Sequence, residues 1–303
     1  MIARLLVLLL FVASPAWASY PEYRLPDDVQ ARRVDFLSEG TPLVGHIVQA
    51  KAKAGQRLPT VILCQGTGGL QHYHLAQAVA FARAGYTVMT FDYRGWGASR
   101  GRLIPVQSQT VEVRETVDAV EQTLDALAAI AIAVAAPEVD ATRLALWGTS
   151  LGATIALQAT IYDGRIKAAV LQVGPYDLRR SGAFLDETRA LATKRAQGEL
   201  PYPAPQPRVQ GQLHGHQVRE KAQLMAPIED LSRLGARRPA ILIIDAGNEE
   251  LFDIRQHGAR LIDRLNDPKK RVVLPGLRHY GIYSGEGLRQ AIQQSVDWLA
   301  AHL

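Results

Sequence analysis

Residues 144–157 read LALWGTSLGATIAL: an apolar strand-like run, a serine between two glycines, and an apolar helix-like run. No other stretch restricts the fold so tightly. A chain that passes from strand to helix within five residues must turn sharply. At the centre of that turn Ser150 is forced into a strained backbone conformation that lifts its Oγ above the sheet, while Gly148 and Gly152 relieve the crowding. The helix start also aims free N–H groups at any negative charge that develops there. The five-residue pattern alone is thin, because with Gly and Ser each near 7% of residues it arises by chance in roughly one chain in ten of this length. Without its flanks, Ser150 would be an ordinary helix-start residue.

The rest of the chain repeats the alternation. Residues 59–64 (PTVILC), 86–93 (YTVMTFDY), 143–147, 167–173, 239–244 and 271–274 read as strands. Residues 33–36 and 43–49 read as an entry hairpin around Ser38-Glu39-Gly40. Helical spacing predicts helices over 70–84, 110–136, 151–161, 253–265 and a last stretch to residue 299. The fold class expected is therefore α/β: a mainly parallel, doubly wound sheet with helices on both faces and right-handed crossovers. After the sixth strand, residues 178–238 interrupt the pattern with PYPAPQPRVQGQLHGH. Phe184, Leu185 and the spacing around Leu191 make this a packed cap insertion rather than a linker. There is no internal repeat.

Composition bounds the partners and the compartment. The net charge of +5 in 303 residues is spread without a run of five like charges, so no nucleic-acid footprint is expected. The N-terminus, MIARLLVLLLFVASPAWAS, has one early cation, an apolar run over 5–12 and small residues at Ala16 and Ala18. It reads as a secretory signal cleaved after Ala18, leaving 19–303 as the mature domain. The run is too short to span roughly 30 Å of hydrocarbon, and no second stretch reaches that length, so no membrane span is expected. The mature protein should be exported, secreted or periplasmic. Cys64 is the single cysteine, which excludes an intramolecular disulfide, and its place in an apolar strand marks it as packing. The pairs His72-x-His74 and His214-x-His216 lack an accompanying acid or cysteine, so no metal is expected. His74 reads instead as lining near a pocket mouth. The oligomeric state is not readable.

A serine nucleophile needs a base, and the base an acid to orient it. His279, in LPGLRHYGIY, follows the last strand and precedes the last helix, on the edge where Ser150 sits. His257 falls inside a predicted helix and His302 at the chain end. The loop DAGNEELFD offers Glu249 as the acid, with Glu250, Asp245 and Asp253 as alternatives and Asp177, after the preceding strand, as a minor one. For the oxyanion, Leu151 N–H is one donor, and Thr67 N–H, in CQGTGG after PTVILC, is the other. Gly66, Gly68 and Gly69 let that backbone approach a substrate closely.

Taken together, CQGTGG, FDYRGWGASRG, GTSLG, DAGNEELFD and HYGIY carry a resemblance. Across nearly all of its mature length the chain resembles the α/β-hydrolase superfamily, and looks closest to the dienelactone-hydrolase-like branch of serine esterases and peptidases. Two positions depart from the pattern: Gln65 stands where the family usually has histidine, and Glu249 where it usually has aspartate. The resemblance implies that Asp92 and Arg94 brace a turn. The expected function is a serine hydrolase cleaving a carboxylic ester through an acyl-enzyme, with no cofactor and a small-molecule partner. A peptidase or amidase on the same residues is the alternative. A non-catalytic binding member of the fold is a lesser one.

Overall fold

The computed structural model describes residues 25–106, 108–200, 216–217 and 219–303. Eight strands form the main sheet: β1 (Val29–Ser38), β2 (Thr41–Ala50), β3 (Leu58–Cys64), β4 (Thr87–Phe91), β5 (Val139–Thr149), β6 (Ile166–Gln172), β7 (Ala240–Ala246) and β8 (Lys269–Leu274). Their order is β1-β2-β4-β3-β5-β6-β7-β8. Only β2 runs against its neighbours; from β4 to β8 every pairing is parallel. The helices are α1 (His72–Arg83), α2 (Ala119–Ala135), α3 (Leu151–Tyr162), α4 (Gly182–Ala196), α5 (Arg219–Ala222), α6 (Arg260–Arg264) and α7 (Gly285–His302).

The continuous apolar runs of the central strands have a direct cause. One face of the sheet buries Ile62, Leu146, Leu171 and Ile243 against Ile130 of α2, Ile155 of α3 and Leu261 of α6. The other buries Leu63, Trp147, Val170 and Ile244 against Phe81 of α1 and Leu299 of α7. Successive residues of one strand therefore enter opposite cores, and none can be polar without loss. Each fully buried Leu, Ile or Val contributes roughly 1.5–3 kcal/mol relative to exposure. This is the mainly parallel, doubly wound α/β sheet with helices on both faces that the alternation led us to expect.

Two predicted helices need correction. Residues 110–113 belong to a separate antiparallel ribbon, Arg102–Val106 with Gln109–Val113. Thr110, Val111 and Val113 are β-branched and favour extended backbone. The helix starts only after Asp118, whose carboxylate accepts the N–H groups of Val120 and Glu121, each at 3.1 Å. Residues 253–265 are not one regular helix either. A π-helical turn, Arg255–Ala259, leads into α6, and it brings Gly258 so close to Asp245 that a Cβ would lie 2.1 Å from the carboxylate.

Between β6 and β7, α4 lies largely exposed, with Thr188 its one buried residue. Lys221 of α5 ion-pairs with Asp118 and Glu121, fastening this segment to the start of α2. Residues 1–18, expected as a leader, and residues 201–215 of the proline-rich stretch, His214 among them, lie outside the described residues, as does the side chain of His216. Among the described residues no helix is long and apolar enough to cross a membrane. The turn after β4 is braced from two sides: Asp92 accepts Ala98 N–H at 3.0 Å, and buried Arg94 donates from Nη2 to Asp125 of α2 at 2.7 Å.

Candidate active site

Ser150 sits between β5 and α3 with φ 52° and ψ −126°, a backbone conformation that non-glycine residues rarely adopt. The surrounding glycines are sterically required. A Cβ on Gly148 would lie 2.2 Å from Gly152 O, and one on Gly152 would lie 2.1 Å from Cys64 O. Ser150 N–H donates to Gln172 O at 2.9 Å, which pins the turn to the end of β6. The first N–H groups of α3, Leu151's among them, have no partner within the helix.

Ser150 opens into a pocket of about 250 Å³ that it lines with Thr67, Leu151, Val117, Phe252 and His257. Thr67 and Leu151, the two expected oxyanion donors, thus face the same space as the serine. Gly66 lets the loop after β3 pass beside the elbow: a Cβ there would lie 3.1 Å from Ser150 Cβ. Gln65, the departure from the family pattern, is fully buried at the start of this loop. Farther out, Arg180 and Arg219 also line the pocket and flank the ring of Phe184 at 5.1 and 5.2 Å.

His279 lies past β8 in a short 3-10 helix, His279–Tyr283, and is 2% exposed. Its Nδ1 stands 2.8 and 3.0 Å from the two carboxylate oxygens of Glu249, whose side chain is also buried. Glu249 Oε1 further accepts Leu251 N–H at 3.0 Å, so the buried carboxylate is well satisfied. With Nδ1–H given to Glu249, Nε2 is left as an acceptor, the tautomer a general base requires. Gly247 N–H to Leu274 O and Asn248 N–H to Leu277 O, both 2.8 Å, stitch the two loops together.

The other carboxylates have different partners. Glu250 turns to the same residue's backbone: it accepts the N–H of His279 at 2.8 Å, and that bond holds its carboxyl below the usual range. Asp245 is buried under the π turn and takes Arg271 Nε at 2.7 Å, with burial pushing its carboxyl up. Asp253 bonds Arg255. Asp177 lines the pocket but is bonded by Arg179 Nε at 2.9 Å and Nη2 at 2.7 Å.

His74 requires correction: it is fully buried at the start of α1, accepts Gln71 N–H through Nδ1 at 2.9 Å, and does not line the pocket. His257 does, although its predicted place inside a helix set it aside. Its Nδ1 accepts Tyr176 N–H at 3.1 Å, and burial pulls its pKa down. Sequence reasoning also passed over Tyr283, although HYGIY contains it; its hydroxyl lies 3.3 Å from His279 Nε2.

Comparisons with known proteins bear on the fold. The family described as serine aminopeptidase, S33, matches residues 55–198, a span that holds Thr67 and Ser150 and stops before Glu249 and His279. An uncharacterised 31.7 kDa protein in the traX-finO intergenic region of Escherichia coli is 28% identical over 298 residues, covering 88% of this chain and 98% of its own. Among solved structures, the alpha/beta hydrolase GrgF from Penicillium sp. sh18 is similar with TM-score 0.70 and 19% identity, over 90% of this chain and 99% of its own. Acetyl xylan esterase from Paenibacillus sp. R4 is similar with TM-score 0.63 and 20% identity, over 93% and 86%. At these identities the structural likeness establishes the fold.

Proposed function

We propose that this chain, a member of the α/β-hydrolase superfamily, is an exported serine hydrolase cleaving small carboxylic esters with Ser150, His279 and Glu249. The observation that carries the reading is the buried His279–Glu249 pair, linked through Tyr283 and Thr149 to an elbow that presents Ser150 to a pocket. In the reaction His279 Nε2 takes the Ser150 proton as Oγ attacks the ester carbonyl, while Glu249 stabilises the imidazolium. Leu151 and Thr67 N–H groups receive the oxyanion. Collapse of the tetrahedral intermediate expels the alcohol, protonated by His279. Water, deprotonated by the same imidazole, then releases the acid.

Peptide cleavage is the second reading, and the family match to a serine aminopeptidase favours it. The pocket's charges favour the ester. A free peptide α-ammonium needs an unengaged carboxylate, and Asp177, the one carboxylate among the described lining residues, is already bonded by Arg179. Arg180 adds positive charge that repels an ammonium, whereas Arg219 is ion-paired with Glu187. A panel of nitrophenyl esters of increasing acyl length, run beside aminoacyl anilides, separates the two. Turnover of the esters with little or none of the anilides is expected; anilide turnover at a comparable kcat/KM would overturn the ester assignment.

A further inference from the structure

The imidazole of His279 is held on both edges. Glu249 takes Nδ1, and the hydroxyl at Nε2 is that of Tyr283, at 3.3 Å. Tyr283 Oη accepts from Thr149 Oγ1 at 3.1 Å, and Thr149 Oγ1 accepts from Gln172 Nε2 at 3.4 Å. Every proton in this chain runs one way. In the neutral imidazole Nδ1 donates its hydrogen to Glu249, Nε2 accepts from the Tyr283 hydroxyl, and the tyrosine oxygen accepts from Thr149 Oγ1. The tyrosine ring is clamped as well: it stacks on Tyr73 with centroids 4.0 Å apart and an interplanar angle of 15°. Thr149 directly precedes the elbow serine, so the chain ties the histidine loop to the nucleophile turn.

A neutral imidazole has one in-plane lone pair at Nε2. Tyr283 holds the lone pair that the Ser150 hydroxyl needs. At 3.3 Å the contact is long, and so easily exchanged. Resting on the reading that Ser150 and His279 react, we infer that Tyr283 is a positioning residue that occupies Nε2 in the free enzyme and yields it to Ser150 as substrate binds. The base is thereby kept in register with the elbow and its lone pair covered while the pocket is empty.

Tyr283→Phe keeps the ring and its stack on Tyr73 but removes the hydroxyl. Two readouts apply: the rate at which a small fluorophosphonate labels Ser150, and the ¹⁵N resonance of the unprotonated His279 nitrogen in histidine-labelled protein. Labelling is expected to speed up by about twofold to tenfold, the worth of one released hydrogen bond. The ¹⁵N signal should move toward that of an imidazole nitrogen without a donor. If Y283F does not fold, Thr149→Val, which removes the hydroxyl orienting Tyr283, should move both readouts in the same direction. Unchanged or slower labelling in a folded variant, or an unmoved ¹⁵N signal, overturns the inference. Wild type that takes no label at Ser150 sinks the hydrolase reading instead, and the ¹⁵N signal still reports the Tyr283 contact.

Discussion

Two adjacent glutamates show how little separates a proposed catalytic contact from a structural one. Glu249 and Glu250 both bond His279, one at imidazole Nδ1 and the other at the backbone N–H. Only the first can hold the tautomer and answer the charge that forms on the ring. Glu249→Gln should therefore lower kcat on a nitrophenyl ester by on the order of 10³–10⁴, because the amide no longer stabilises an imidazolium. Glu250→Gln keeps an acceptor for the His279 N–H and should stay within about tenfold of wild type. Steady-state kinetics on the two variants decides it, and losses of equal size would place the acid elsewhere. Ser150, His279 and the loop that carries the acid could be proposed from order and loop position. The split between Glu249 and Glu250 could not, because two neighbouring carboxylates in one loop differ only in how the loop is wound. Tyr283 was equally hidden: its part depends on a ring stack with Tyr73, more than 200 residues away.

At the level of elements, α1 illustrates a histidine whose chemistry is packing. His74 caps the helix by accepting Gln71 N–H and is fully buried edge-on to Trp147. Burial pulls its pKa down to about 3, against an ordinary 6.5. Between those values the unfolded chain binds the proton that the folded state refuses, so stability falls as pH drops below about 6.5. From about pH 8 to about pH 5 this one group should cost about 2 kcal/mol. His46, lowered to about 4 chiefly by burial, adds to the same trend. His74→Gln retains an acceptor and no titration, so the acid loss in its urea midpoints should be smaller than in wild type. An identical dependence on pH in the two proteins would contradict this. The pattern of β-branched and apolar residues disclosed the main strands and most helices. It misplaced 110–113 because β-branched residues beside a helical pattern read as its first turn, whereas they pair with 102–106. Pairing between strands is not written in local spacing.

Across the whole molecule, each candidate group follows a separate strand. The serine follows β5, Glu249 follows β7 and His279 follows β8, all at one edge of a sheet whose two buried faces leave its rigid strand ends as the place to mount them. That convergence was legible because strand order in a parallel sheet is tightly restricted. The pocket above it was less so, since its outer wall comes from an insertion whose side chains, Phe184 and Arg180 among them, follow no regular repeat. The most direct measurement is intact-protein and peptide mass spectrometry after reaction with a fluorophosphonate. One label per chain is expected, carried by the peptide containing Ser150, and lost in both Ser150→Ala and His279→Ala. Label on another residue, or label that survives Ser150→Ala, would contradict Ser150 as the nucleophile.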